Sequence, residues 1–354
     1  MIVVTADVLR RQLAAIFEAW GMSREDVETC VRVMVETDLT GVDSHGVGMM
    51  PTYERWYREG KLKPRPDIQV VRERTSLALI DADQSLGHPP SVLAMRMAID
   101  KAKATGVAAV AVRNSNHFGA AGYYALMAAR EGCIGMAMTN ASPILVPTFG
   151  REARLGTNPI AFAAPARRNN PFWLDMATTT VAFGKVNIAR RAGKPVPEGW
   201  ALDTDGSALT DSQRAFDLRR LTPLGGTREL GSHKGYGLAA MVEILCSTLS
   251  GAWLTSRDPE ESRANTNNIG HFFLAISPDL VREEGEFQDD MDRLIDMLRA
   301  TVPADPAQPV LVAGDPEYAA YAERSKSGIP MTDTLFQEVR EVARASNAPF
   351  LLEA

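Results

Sequence analysis

Cysteine is scarce. Cys30, Cys133 and Cys246 are the only three in 354 residues, far apart and set among apolar neighbours. That spacing excludes a disulfide framework and a cysteine-rich metal site, and points to buried thiols in a reducing cytoplasm. Positive charge is not in excess either: the formal net charge is −6 and the pI is near 5.5. Lys and Arg are not interleaved with aromatics, so no nucleic-acid partner is expected. No apolar run approaches the roughly 20 residues a membrane helix needs, so no membrane partner is expected. The opening MIVVTADVLRRQ turns polar too soon for a secretory signal. Repeats and low-complexity segments are missing. So are GxGxxG after a strand and GxxxxGK[ST], which argues against a standard Rossmann or P-loop site. HxxxH and HEXXH are missing too, and metal chemistry has no local signature.

With 45% hydrophobic and 23% charged residues, the chain suits one complex domain or two. Residues 5–20 read as a helix with Val8, Leu9, Leu13, Ile16, Phe17 and Trp20 on one face. Ser23 with Asp26 starts a second. Short apolar strands are expected at 77–80, 107–112, 134–138, within 155–165, at 171–175, at 268–276 and at 309–312. Helical patterns alternate with them, and Thr332 caps a last helix. This is an α/β chain with a helical N-terminal layer.

Two strands end in polar clusters. Residues 107–112, rich in Val and Ala, read as a strand buried on both faces that stops at Asn114, Ser115, Asn116 and His117. Residues 134–138 stop at Thr139 and Asn140. Ligands of open α/β sheets sit beyond the carboxyl ends of strands, which makes this a site candidate; helix capping around a passive histidine is the alternative. Asp43, Ser44, His45 and Gly46 form a polar turn in which a hydroxyl beside an imidazole suits proton transfer; a capping turn is again the alternative. Thr178 and Thr179 stand at an expected helix start, where N–H groups and hydroxyls suit a phosphate or amide. Lys234 follows a glycine-rich stretch and suits a phosphate or carboxylate. His271 is expected to be structural.

Taken in order, DSHGVGMMPTY, NSNHFGAAGYYA, GTNPIAFAAP, LDMATTTVAFGK, PEGWALDTDG and HKGYGLA resemble the malate/L-lactate dehydrogenase family that lacks a Rossmann fold. The match runs from about Thr5 to Pro330, and the SHGVGMMPTY form is nearest the hydroxycarboxylate dehydrogenase B branch. The resemblance implies a non-Rossmann mixed sheet flanked by helices. It also implies a helical domain built from both chain ends (1–74 plus 318–354) around an α/β NAD(P)-binding and catalytic domain (75–317). It implies a homodimer that uses NAD or NADP to interconvert a 2-oxo acid and a 2-hydroxy acid. Ser44 and His45 match the motif whose histidine gives the proton, and His117 matches a second family histidine. Asn140, Asp175, Met176, Ala177, Thr178, Thr179, His233, Lys234, Gly314, Asp315 and Glu317 fall in nucleotide-contacting stretches. Met49, Asn116 and Asn158 are the substrate-side candidates. Two positions depart from the pattern. Met49 stands where many members have a carboxylate-binding Arg, and Lys185 where the piperideine-carboxylate branch has an Asp. A bulkier, more apolar 2-oxo acid is therefore expected, and not an imine. Two readings of other classes stand beside this one: a metal-dependent hydrolase using His45, His117 and Asp175, and an inactive interaction protein.

Overall fold

The computed structural model describes residues 2–256 and 266–353. Strand β1 (Ile2–Val4) leads into α1 (Ala6–Ala19) and α2 (Arg24–Leu39). Thr5 and Ser23 cap these helices by accepting the N–H of Val8 and of Asp26. Buried Leu9, Leu13, Ile16 and Phe17 recur at helical spacing along α1. After the turn that carries His45 come α3 (Met50–Arg58), β2 (Gln69–Glu73), β3 (Leu77–Asp81), α4 (His88–Thr105) and β4 (Val107–Ser115). Then follow α5 (Ala121–Arg130), β5 (Ile134–Thr139), β6 (Ile160–Ala164), β7 (Phe172–Met176) and α6 (Phe183–Arg191). A two-stranded ribbon, β8 (Ala201–Leu202) and β9 (Ala208–Leu209), precedes α7 (Ser212–Leu218) and α8 (Ser232–Glu243). The chain continues through β10 (Ile269–Ile276), α9 (Glu286–Arg299), α10 (Asp315–Ser327), β11 (Ile329–Met331) and α11 (Asp333–Ala345).

Seven strands form the central sheet in the order β2-β3-β4-β10-β5-β6-β7. Only β3 and β4 pair in parallel; every other pair is antiparallel. The parallel unit β3–α4–β4 carries no glycine fingerprint, and the antiparallel pairs of the sheet have no place for one. Because β10 lies antiparallel between β4 and β5, those two strands run the same way. Their carboxyl ends, and the amino end of β10, share one edge.

Helices α4 and α5 cover one face of the sheet through an apolar core that includes Ile80, Met95, Val110, Tyr124 and Phe273. A smaller cluster with Val242 and Cys246 of the α8 region covers the other face against Ala109, Met138 and Phe272. A separate core joins the chain ends: Leu9, Phe17 and Met34 pack with Ile329, Phe336 and Val339. Trp20 Nε1 donates to Ser346 Oγ at 2.8 Å across it. A third cluster around Val186, Val196 and Leu221 supports α6 and α7.

Four local readings change. Strand β4 runs on through Arg113, Asn114 and Ser115. The β1–β11 pair joins two three-residue strands, too short to show alternation. Residues 309–312 are not a strand: Pro309 has no N–H, and the Val312 N–H goes to Asp315 Oδ2 at 2.8 Å. Thr178 and Thr179 do not open a helix; α6 begins at Phe183 behind Ala182. Their segment is held extended instead, with Thr178 N–H on Thr157 O and Thr179 bridged to Pro223.

Candidate active site

Two imidazoles face each other from different parts of the fold. His117 follows the end of β4, and that end is braced by His271 on β10. The ring nitrogens of His271 lie 2.8 Å from Thr139 Oγ1 of β5 and 2.8 Å from Ser115 Oγ of β4. Its ring stacks on Phe118 at 4.6 Å. Burial pushes His271 down to about 3, so it is neutral and acts as a clamp. Beyond the clamp, His117 Nδ1 accepts the Gly119 N–H at 3.3 Å and lies 2.7 Å from the hydroxyl of buried Tyr53 on α3. A nitrogen that accepts a backbone N–H carries no proton. The Tyr53 hydroxyl therefore donates, and His117 bears its proton on Nε2. Burial, with His45, His88 and His271 nearby, holds His117 well below the usual histidine range.

His45 arrives from the α2–α3 turn, and that turn rests on a buried carboxyl. Asp38 Oδ2 accepts the Val47 N–H at 2.8 Å, and Asp38 is 1% exposed. Gly46 must be glycine here, since a Cβ would lie 2.0 Å from Asp38 Oδ1. Arg324 of α10 ties the turn down from outside, donating to Asp38 O at 2.6 Å and pairing with Asp43. Burial raises Asp38 to about 8; Asp43 adds to the rise, while the Val47 N–H and Arg324 oppose it. On this base Ser44 Oγ and His45 Nδ1 share a 2.7 Å hydrogen bond. The His45 and His117 rings stand 5.5 Å apart, tilted by 30°. Burial lowers His45 below the ordinary histidine range.

Both rings line a cleft of about 490 Å³. Met49, Thr52, Arg55 and Trp56 come to it from the α3 side, and Asn140 to Ile144 from the end of β5. Thr157, Phe183, Arg219, Thr255, Asn267 and Asn268 complete much of the wall. Sequence reasoning missed Arg55 and Arg219. Neither lies in a motif, and only the folded chain brings them beside His45.

The other candidates separate into groups. Asn140 lines the cleft, with its Nδ2 on Trp253 O at 3.1 Å and its Oδ1 receiving the Gly270 N–H at 2.9 Å. Asn116 is wholly buried; its Nδ2 donates to Gln84 O and Ser85 O, and its Oδ1 accepts from Asn267. Asn158 is also wholly buried; its amide spans Ala141 N–H, Ala239 O and Glu243 Oε2. The hydroxyls of Thr178 and Thr179 donate to Thr157 O and Val181 O. Asp175, at the end of β7 with Met176 and Ala177 after it, accepts the Gly122 N–H at the start of α5 at 2.6 Å. Asp175 is exposed as a residue, but desolvation of its carboxyl and nearby Glu317 raise it to about 6. Gly314 caps α10 against Trp173, and Asp315 pairs with Arg299 at 2.5 Å. His233 and exposed Lys234 start α8, with His233 Nδ1 3.0 Å from Arg228. Lys185 is exposed on the first turn of α6 and is not part of the cleft wall. No group of three metal-ligating side chains occurs among the described residues. Asp175, the third ligand of the hydrolase alternative, is engaged with Gly122 and is not in the wall that holds the two histidines.

A mixed sheet with a paired imidazole cleft at its edge suits an oxidoreductase that acts on a CH–OH group and needs a proton at the same oxygen. Comparison with known proteins gives that class its family. A family profile described as malate/L-lactate dehydrogenase matches residues 4–340. Malate dehydrogenase of Pyrococcus horikoshii is 40% identical over 96% of this chain and 94% of its own length. Hydroxycarboxylate dehydrogenase B of Escherichia coli is 32% identical over 97% of this chain and 94% of its own. The crystal structure of malate dehydrogenase from Entamoeba histolytica superposes with a TM-score of 0.94 at 33% identity, covering 99% of each chain. The chain belongs to the malate/L-lactate dehydrogenase family. It is an oxidoreductase acting on a CH–OH group with a nicotinamide cofactor, and the hydrolase and interaction-protein alternatives have no support.

The buried Asp38 makes a prediction about stability. Its folded pKa, about 8, lies above the ordinary carboxyl value. The native state therefore holds a proton that the unfolded chain releases, and the Asp38 contribution to stability falls as pH rises toward 8. The buried histidines titrate with the opposite sign in the same range, so the contribution is read as the stability of wild type minus that of Asp38→Asn, which keeps an acceptor for Val47. That difference should fall by roughly 1.4 kcal/mol per pH unit between about pH 6 and 7.5 in urea unfolding; a difference that stays constant over the interval would contradict the assignment.

Proposed function

We propose that the cleft reduces the C2 carbonyl of a 2-oxo acid to the 2-hydroxy acid, reversibly, with His45 giving the proton. The observation that carries this is the pair of imidazoles 5.5 Å apart, each held through Nδ1, His117 by Tyr53 and Gly119 and His45 by Ser44. The chemistry supplied by a nicotinamide bound here is a hydride to C2. His117, neutral and protonated on Nε2, hydrogen-bonds the carbonyl oxygen and polarises it. His45, as imidazolium, protonates that oxygen as negative charge develops. The Ser44 hydroxyl accepts from Nδ1–H, and that proton stays on the ring when Nε2 gives up its own, so the ring keeps its orientation through the transfer. Because burial lowers His45, its charged form grows as pH falls, and reduction is favoured on the acid side. Arg55, on the helix that follows the His45 turn, holds the C1 carboxylate in place of the arginine missing at Met49.

The cleft also has groups suited to the nicotinamide end of the cofactor: turn 139–144 and Thr157 offer polar backbone and side chains along its wall. Beyond it, Asp175 and Glu317 form an acidic pair with one partner raised to about 6. Such a pair accepts hydrogen bonds from ribose hydroxyls and repels a phosphate, which favours NADH over NADPH. Lys234, on the first turn of α8, is the candidate for a cofactor phosphate. The chain acts as a homodimer in this reading. Tyr236, Met241, Ile244 and Leu249 are exposed apolar side chains on α8 and the turn after it, with Ile244 58% and Leu249 59% exposed, and they suit an interface between two copies.

Two measurements test these statements. Purified protein should reduce members of a 2-oxo acid panel, faster with NADH than with NADPH, and chelator should make no difference. Activity abolished by chelator and restored by zinc, or no nicotinamide binding at all, would overturn the reaction. Light scattering should give twice the 38.5 kDa chain mass, and Ile244→Glu should halve it; a monomeric wild type would remove the dimer.

A further inference from the structure

Arg219 is placed where its backbone is uncomfortable and its charge unanswered. It ends α7 in the left-handed region, φ 52° and ψ 52°, a position that ordinarily goes to glycine. Its guanidinium lies 4.4 Å from the centre of the Phe183 ring. Phe183 stacks on Phe216 at 5.3 Å, and Arg190 covers Phe216 at 4.2 Å, itself held by Asn187 Oδ1 at 2.9 Å. The four side chains form one stack of two cations and two rings, and Phe183 and Arg219 are the members that line the cleft with His45 and His117. Arg219 is exposed as a residue, with partial desolvation lowering it below the usual guanidinium range. A cation in a strained backbone position, laid on a ring at the wall of a substrate cleft, is placed to receive an anion there.

We propose that Arg219 binds a second acidic group of the substrate, so that the enzyme selects 2-oxo acids carrying an anion at the end remote from the carbonyl. This rests on the reading of the cleft as the 2-oxo acid site. It gives the two cleft guanidiniums separate tasks: Arg55 on α3 takes the carboxylate next to the reacting carbon, and Arg219 beyond Phe183 takes the far group. The apolar substrate that Met49 suggested gives way, because the positive charge missing at that position is supplied from two others. The stack explains why arginine is used. A planar guanidinium can lie flat on Phe183 and still present its edge N–H groups to a carboxylate or sulfonate, which lysine cannot do.

The test compares 2-oxobutanedioate with 2-oxobutanoate, equal in chain length and different only in the second acid. Wild-type kcat/KM should favour the diacid, and Arg219→Gly should cut that preference roughly 10- to 100-fold, the loss expected for one charge-assisted hydrogen bond. Arg219→Gly should also raise the thermal midpoint, since glycine relieves the left-handed backbone; this shows that the variant folds. Arg219→Lys should keep part of the preference. Binding is read separately by titrating 2-hydroxybutanedioate and 2-hydroxybutanoate into wild type and Arg219→Gly. Wild type that binds the diacid through Arg219 but reduces neither acid would support the anchor and contradict the proposed reaction. An unchanged preference, an equal loss for both acids, or a rise in the NADH Kd with the preference intact would each overturn the anchor.

Discussion

One neutral imidazole in the middle of the sheet holds the reactive edge together. His271 bonds a hydroxyl on each flanking strand, Ser115 of β4 and Thr139 of β5. Those two residues are the last of their strands. The arrangement depends on β10 running antiparallel between two strands of common direction, so that both carboxyl ends emerge side by side. His117 leaves from one and Asn140 from the other. A side chain without polar atoms at position 271 would remove both bonds and leave Ser115 and Thr139 held only by backbone carbonyls of their own neighbourhood, Asn116 O for the first and Asn140 O and Gly270 O for the second. At a pKa of about 3 the ring stays uncharged wherever the protein is folded, so it contributes hydrogen bonds with no titration of its own near neutrality.

His45 reaches the same edge from the other side through a different device. Its turn lies on the Asp38 carboxyl, which burial keeps protonated at neutral pH. Gly46 lets that carboxyl approach, and Arg324 links the turn to the C-terminal part of the chain. The acid of the proposed reaction thus belongs to the core made by the chain ends, and its partner imidazole to the sheet. The Tyr53–His117 hydrogen bond crosses between them. Burying four histidines at one junction lowers all of their pKa values. The fold accepts that instability toward acid in exchange for imidazoles whose protons are easily given up.

Much of this was legible in the chain. The order of six motifs was enough to give the class of reaction, and the polar ends of two short apolar strands and the Ser44–His45 pair pointed to residues that the fold brings to one cleft. The rest was hidden for physical reasons. Asn116 and Asn158 have the chemistry of ligand contacts, but only the folded structure reveals that backbone carbonyls and other amides already occupy them. Thr178 and Thr179 look like a helix start because hydroxyls favour caps; distant pairing with Thr157 and Pro223 decides otherwise. Arg55 and Arg219 are two among many arginines until folding brings α3 and α7 to one cleft. The strand pair at the chain ends spans more than 320 residues of sequence separation, beyond the reach of any local pattern.

The division of labour between the two histidines is the centre of the account, and the pH dependence of kcat/KM for reduction tests it most directly. In wild-type enzyme the rate should fall with rising pH as the imidazolium of His45 is lost. His45→Asn should lower kcat about 10²–10⁴-fold and remove that limb. His117→Asn should slow the reaction and keep the limb, because His117 polarises the oxygen in its neutral form. A limb that survives in His45→Asn and disappears in His117→Asn would contradict the account and make the strand-end histidine the acid.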